Sequence, residues 1–217
     1  MKRLAVFLLF LMMICTSGVA FAGLDDTRAS MESQYGDYRM VIDTDNQMWT
    51  KSEWDQKGQF REKAAAYTYS FSRQKLGFEL EASYNGKTPQ STVIAQRFTP
   101  NMSITVKEFK NYFPEIYSLI ASPHAQAFAS SRQVTRQFQE LQSPVTMGIL
   151  VKEAPATQKG YYTLLAFNIQ DEGRLIKDPK FIDANTYIRE FTIERVFQKT
   201  AVDSLESGEW QPIKNCF

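Results

Sequence analysis

Between Tyr67 and Tyr84 the side chains change character at every residue, and that period leaves few folds open. Tyr67, Tyr69 and Phe71 alternate with Thr68, Ser70 and Ser72, and Leu76, Phe78, Leu80, Ala82 and Tyr84 repeat the pattern after a turn near Arg73 to Lys75. A chain that alternates in this way forms antiparallel strands with one buried and one polar face. Tyr38 to Asp43 shows the same period, Thr44-Asp45-Asn46 supplies turn chemistry, and Gln47 to Trp54 reads as a returning strand. Gln56 to Lys63 reads as a loop, and a strand is expected from about Ser91 to Phe98. Asn85-Gly86 predicts a type I′ hairpin turn, whose two central residues need positive φ. Residues 38–98 therefore read as an antiparallel meander with an aromatic face.

Helices bracket this sheet. Asp25-Asp26-Thr27 offers N-cap oxygens, Met31 and Tyr35 fall one turn apart, and Gly36 sits where a helix would stop. Thr105-Val106-Lys107-Glu108 matches a capping box, and Phe109, Tyr112 and Phe113 then form an apolar stripe. Pro114 interrupts, Glu115 to Ala121 predicts another turn or two, and Ser122-Pro123 predicts a helix reaching Leu141, with a mobile segment as its competitor. Val145 to Lys152, Tyr161 to Ile169 and Ile188 to Phe197 read as further strands. The fold class expected is α+β: an antiparallel meander sheet packed against helices, with further C-terminal strands.

Lys2 and Arg3 precede an apolar run from Leu4 to Ile14, and Ala20-Phe21-Ala22 gives small residues before Gly23. These features describe a secretory signal peptide cleaved after Ala22. The apolar run is about half of the roughly 20 residues a spanning helix needs, so no transmembrane anchor is expected after cleavage. The expected location is periplasmic or extracellular, with residues 23–217 as a single α+β domain. A subdivision into 23–100, 101–143 and 144–217 is the alternative. Cys15 leaves with the leader, so Cys216 has no internal partner and is either free or joined to a second chain.

The chain carries 25 Lys plus Arg against 24 Asp plus Glu, a balance with no electrostatic footprint for nucleic acid, which usually needs a clustered basic surface, so no nucleic-acid partner is expected. Its one histidine, His124, limits acid–base chemistry, and no G-x-S-x-G elbow surrounds Ser122, Ser130 or Ser131. One His and one mature Cys do not make a zinc site. Asp43-Thr44-Asp45-Asn46 begins like a calcium loop, but Gln47 and Met48 stand where an oxygen ligand and a glycine belong. No phosphate-binding glycine loop is present, and no cofactor is expected. Glu79 and Glu81 read as the solvated side of a strand, and Asn101-Met102-Ser103 as a chance sequon.

The aromatic set is what remains. Trp49, Trp54, Tyr67 and Tyr69 are the candidate ligand-binding residues, since aromatics supply wide contact area at low entropic cost. The same side chains can pack as cross-strand pairs beneath a helix. Trp49 and Trp54 are the two expected at the surface, because Lys51, Glu53 and Asp55 surround them.

Asp26-Thr27-Arg28 opening a helix that closes on Tyr35-Gly36, then strands bearing a Trp and a Tyr-x-Tyr-x-Phe run, resembles the SmpA/OmlA (BamE-like) group of exported helix-plus-meander domains. The resemblance covers residues 24–98. The glycine and proline flanking that helix in the group, and its lipid-bearing cysteine, are absent here. It implies an envelope binding or assembly module and transfers no functional residues. The leading expectation is thus a non-catalytic exported module that binds an envelope protein, peptide or other ligand through a sheet face or edge. A hydrolase whose site assembles only in three dimensions, and a self-associating structural protein, are the alternatives.

Overall fold

The computed structural model describes residues 23–56, 63–130, 146–151, 161–171, 174–175, 182–197, 211–212 and 217. The expected leader, Cys216 and the stretch 131–141 lie outside them. The chain runs through α1 (Arg28–Tyr35), β1 (Met40–Asp43), β2 (Met48–Thr50), α2 (Lys51–Gln56), β3 (Ala64–Arg73), β4 (Leu76–Tyr84) and β5 (Val93–Pro100). It continues with β6 (Ile104–Thr105), α3 (Val106–Tyr112), α4 (Pro114–Ile120), β7 (Ala125–Ser130) and β8 (Thr146–Val151). The last strands are β9 (Tyr161–Asp171), β10 (Arg174–Leu175), β11 (Tyr187–Phe197) and β12 (Gln211–Pro212).

All twelve strands join one antiparallel sheet in the order β12-β7-β8-β9-β11-β5-β4-β3-β1-β2, with β10 on β9 and β6 on β11. The C-terminal strands therefore extend the meander instead of building a second sheet. β11 joins the halves, pairing Phe191 with Phe98 on one side and with Phe167 on the other.

One face carries the aromatic core. Phe98 stacks on Phe191 at 4.7 Å between centroids; Phe109 of α3 meets Phe167 and Phe191 edge-on, and Phe113 at its C-cap meets Phe98 and Phe191, all at 4.8–5.4 Å. Edge-to-face contacts of this kind add about 0.5–1.5 kcal/mol per pair beyond burial. The covering helices are locally specified. Thr27 Oγ1 accepts the Ser30 N–H at 3.2 Å, Gly36 closes α1 at φ 81°, and Met31 and Tyr35 point into the core. Thr105 and Glu108 form the expected capping box, and Pro114 opens α4 at its first turn.

The opposite face is divided. Toward β7, β8 and β9 it is apolar, with Phe128, Leu150, Leu164 and Ala166 fully buried. Toward β3 and β4 it is polar, which is the two-faced character expected of 38–98.

Three local expectations are overturned. Asn85-Gly86 is not a tight turn: Tyr84 pairs with Val93, and Asn85 reaches across a wider loop to Thr92 by two side-chain bonds of 2.9 Å. That loop turns at Thr88-Pro89-Gln90-Ser91, with Pro in the second position that its fixed φ suits. A two-residue turn with both residues at positive φ lies at Gln74 (48°) and Lys75 (71°), within the turn expected between β3 and β4. Residues 47–54 do not form one strand, because β2 stops at Thr50. Thr50 Oγ1 and Glu53 Oε2 then exchange bonds with each other's backbone N–H at 3.3 and 2.9 Å, capping α2. Finally, 125–130 is a strand paired with β8, because Ala127, Phe128 and Ala129 are buried on both faces of the sheet and show no helical stripe.

Candidate functional site

The aromatic candidates separate by burial. Tyr69 is fully buried, and Trp54 and Tyr67 are 2% and 5% exposed, so these three are packed in the core. Trp54 is buried because it starts no strand: in α2 it faces inward while Lys51, Glu53 and Asp55 face out. Trp49 is half-buried and donates its indole N–H to Asp43 Oδ2 at 2.9 Å. Tyr67 accepts from Arg28 at 3.0 Å and meets Tyr38 and Tyr84 edge-on, while the Tyr69 and Tyr84 hydroxyls lie 2.9 Å apart. Burial, before any other influence, pushes the Tyr69 and Tyr84 phenols well above the usual tyrosine range, so both stay neutral. This group welds α1 to the sheet, with Tyr67 and Tyr69 buried and Tyr38 and Tyr84 half-buried.

The Asp43 loop is likewise committed to structure. Asp43 Oδ1 accepts the Asp45 and Gln47 amides, each at 2.9 Å, and Oδ2 takes the Trp49 indole. Burial raises this carboxyl, but those three bonds and nearby Lys63 more than offset it, and its pKa falls below the ordinary aspartate range. Among the described residues no three His, Cys, Asp or Glu side chains converge to hold a metal ion. His124 is exposed ahead of β7, with its backbone N–H donated to Ser122 Oγ at 3.2 Å. Ser131 lies outside the described residues.

An open groove lies on the polar half of the sheet instead. It measures about 280 Å³ and is lined by Arg39, Ser70, Ser72, Gly77, Glu79 and Asn101, with Phe71 and Phe78 contributing between them while their rings stack together on the aromatic side of the sheet. Register places these side chains together: Ser70 faces Glu79 and Ser72 faces Gly77 across the β3–β4 pair. Asn101 folds over Gly77, its backbone N–H donating to the Gly77 carbonyl at 2.9 Å. An added Cβ at Gly77 would come within 3.0 Å of the Asn101 amide carbon, so glycine keeps this wall closed. Behind the groove, burial pushes the Glu81 carboxyl up, Arg97 draws it back through an ion pair, and Glu79 and Glu190 add repulsion.

The groove borders a stretch of sheet edge that no strand among the described residues fills. β1 covers β3 only from Ala64 to Thr68, and Arg39 adds one last bond to the Thr68 carbonyl at 2.8 Å. Before Arg39 the chain has come from α1 through Gly36, so Ser70 to Arg73 run on with a strand partner on the β4 side alone. In an antiparallel ladder N–H and C=O groups alternate sides, and Thr68 bonds toward β1. Ser70 and Ser72 therefore aim their N–H and C=O outward from the same edge.

This edge is held in shape. At the hairpin tip, Arg73 donates to the Tyr112 carbonyl at 2.7 Å and pairs with Glu115, and Gln74 donates to the Asn111 carbonyl at 2.7 Å. Those bonds anchor the tip to the α3–α4 junction and hold two non-glycine residues at positive φ. Arg39 is exposed, donates to Ser70 Oγ at 3.0 Å, and is in no ion pair among the described residues. None of these edge residues was singled out by sequence reasoning beyond their alternation. Among the described residues no helix is long and apolar enough to cross a membrane. No known family, curated protein or solved structure matches the chain.

Proposed function

We propose that the chain is an exported, non-catalytic binding module that takes its ligand at the Arg39–Ser70–Ser72–Glu79 groove on the polar face of the sheet. Export rests on the basic start, the apolar run and the small residues before Gly23. Binding rests on one observation: a polar groove lies beside a sheet edge with outward-facing backbone groups, and bonds from the hairpin tip to the α3–α4 junction anchor that edge. Such a surface is prepared for association at low ordering cost. The aromatic residues first considered for ligand contact serve as its support from within.

A photo-crosslinking side chain placed at Ser72 in the producing cell tests this reading. A discrete adduct at Ser72, lost with the doubly reversed pair Arg39→Glu and Glu79→Lys and absent with the crosslinker at Lys87, is the expected result. Equal labelling from Ser72 and Lys87, or labelling untouched by the charge reversal, would refute it.

A further inference from the structure

We infer that the open edge of β3 pairs with an extended peptide, antiparallel to β3, that ends in a free C-terminal carboxylate held by Arg39. This rests on the binding role proposed above and gives its ligand a chemical class.

Direction follows from register. β1 runs antiparallel to β3, with Met40 opposite Thr68 and Asp43 opposite Ala64. A peptide laid on Ser72 and Ser70 in the same sense continues the line of β1 from upstream, so its last residue arrives beside Arg39. Ser70 and Ser72 together offer two N–H and two C=O groups, enough for a segment of three or four residues. The peptide must stop there, because the backbone of Arg39 already occupies the next position on Thr68. A chain terminus fits that dead end where a continuous strand does not.

The charge at the stop is right for it. The Arg39 guanidinium bonds to Ser70 Oγ at 3.0 Å, on the face that the terminal residue would meet. A guanidinium binds a carboxylate through two parallel N–H donors, and an uncharged amide end gives only one weaker bond. Above and below the added strand the chemistry differs. Residues pointing with Ser70 and Ser72 meet their hydroxyls, while those pointing with Phe71 lie on the side of the Phe71 and Tyr35 rings, which are 4.9 Å apart. The preferred tail therefore alternates small polar and apolar side chains.

The probe is the hexapeptide acetyl-Lys-Val-Thr-Val-Thr-Val with a free C-terminus, titrated into the full chain and followed through its backbone amide signals. Saturable shifts centred on Ser70 and Ser72 are expected. Amidating the peptide's C-terminus should weaken binding about tenfold or more. Arg39→Gln should remove that difference between acid and amide, and Arg39→Lys should restore part of it. N-methylating alternate peptide amides should abolish binding, as should Ser72→Pro, which deletes an outward N–H and spares the β3–β4 ladder. The methylated peptide keeps the test decisive should Ser72→Pro fail to fold.

Acid and amide binding equally overturns the carboxylate, and indifference to N-methylation overturns strand addition. Either result can stand beside a groove-specific adduct at Ser72, which would leave the binding role intact and the ligand class wrong. A dimer in sedimentation that Ser72→Pro dissolves, without peptide binding, would assign the edge to a second copy and overturn the inference.

Discussion

Replacing Gly148 with alanine should destabilise this protein more than any other single added methyl in the sheet. Gly148 lies directly opposite Phe128 in the β7–β8 pair, and the phenyl ring rests on it. A Cβ built there would fall on Cε2 of that ring, 2.7 Å from Cζ and 3.0 Å from Cδ2. Ordinary carbon contacts are about 3.5–4.0 Å, so the ring must withdraw by about an ångström. It has nowhere to go, because Phe128 is fully buried against Leu150, Leu164 and Ala166. Overpacking of this kind costs about 1–3 kcal/mol, and an aromatic ring pressed along its edge belongs near the top of that range.

At this chain length about 3 kcal/mol lowers the melting temperature by roughly 6–12 °C. The control is a double-mutant cycle in urea with Phe128→Leu, which alone costs about 1–2 kcal/mol. The double variant should be more stable than the sum of the singles by about 1 kcal/mol or more, since the smaller side chain leaves space for the new methyl. A Gly148→Ala protein within 0.5 kcal/mol of the parent, or strict additivity in the cycle, would refute the packing argument.

Lys75→Gly should stabilise the fold by about 0.5–1 kcal/mol, because Lys75 sits at φ 71° without the glycine that such a turn favours; the urea midpoint should rise, and a fall refutes it. Asp43 titrates below its ordinary value in the folded chain, so as pH falls the unfolded chain takes up that proton first. Its stabilisation is complete above about pH 5 and is lost as pH drops below about 4; Asp43→Asn should flatten this acid limb and cost about 1–2 kcal/mol at pH 7. Denaturant curves at pH 7 and pH 3.5 for both proteins check the sign. Trp54→Ala should cost about 3–5 kcal/mol as a core deletion, measured by thermal melting, whereas an exposed ligand contact would cost almost nothing.

Where side-chain chemistry acts within one turn or one strand, the sequence was readable. Thr27, Gly36, Thr105, Glu108 and Pro114 each sit at the helix boundary that their chemistry specifies. The alternation of Tyr67 to Ser72 likewise became a two-faced strand. The T-x-x-E signature at Thr50 to Glu53 was equally available as a start for α2, but the apolar residues around it drew the reading toward a strand.

Elsewhere, tertiary packing decided. Ala125 to Ser130 is rich in small residues that suit a helix in isolation, and with Ala127, Phe128 and Ala129 buried on both faces of the sheet no polar face marks the stretch as a strand. The break in alternation puts a turn near Arg73 to Lys75, where it is found, but neither Gln74 nor Lys75 is a residue that favours positive φ, and bonds reaching to Asn111 and Tyr112 over 35 residues away hold the tip. The candidate site was the least readable part. An open edge is a property of where β1 ends against β3, and no local run of residues encodes that offset. Arg39 falls in the Tyr38 to Asp43 alternation as one polar position among others, with nothing local to mark it.

The position of β11 has a consequence for how the molecule comes into being. Residues 187–197 slot between β5, complete by residue 100, and β9. A polypeptide emerging from its N-terminal end thus leaves the far side of β5 bare for nearly a hundred residues of synthesis. Closure waits on the latest long strand, and the bidentate contact between Arg195 and Asp25 then latches that strand to the beginning of the described chain. Long-range pairing of this type is slow and exposes apolar surface meanwhile. The unfinished half-sheet is therefore the species that a holdase chaperone, or an aggregate, would meet.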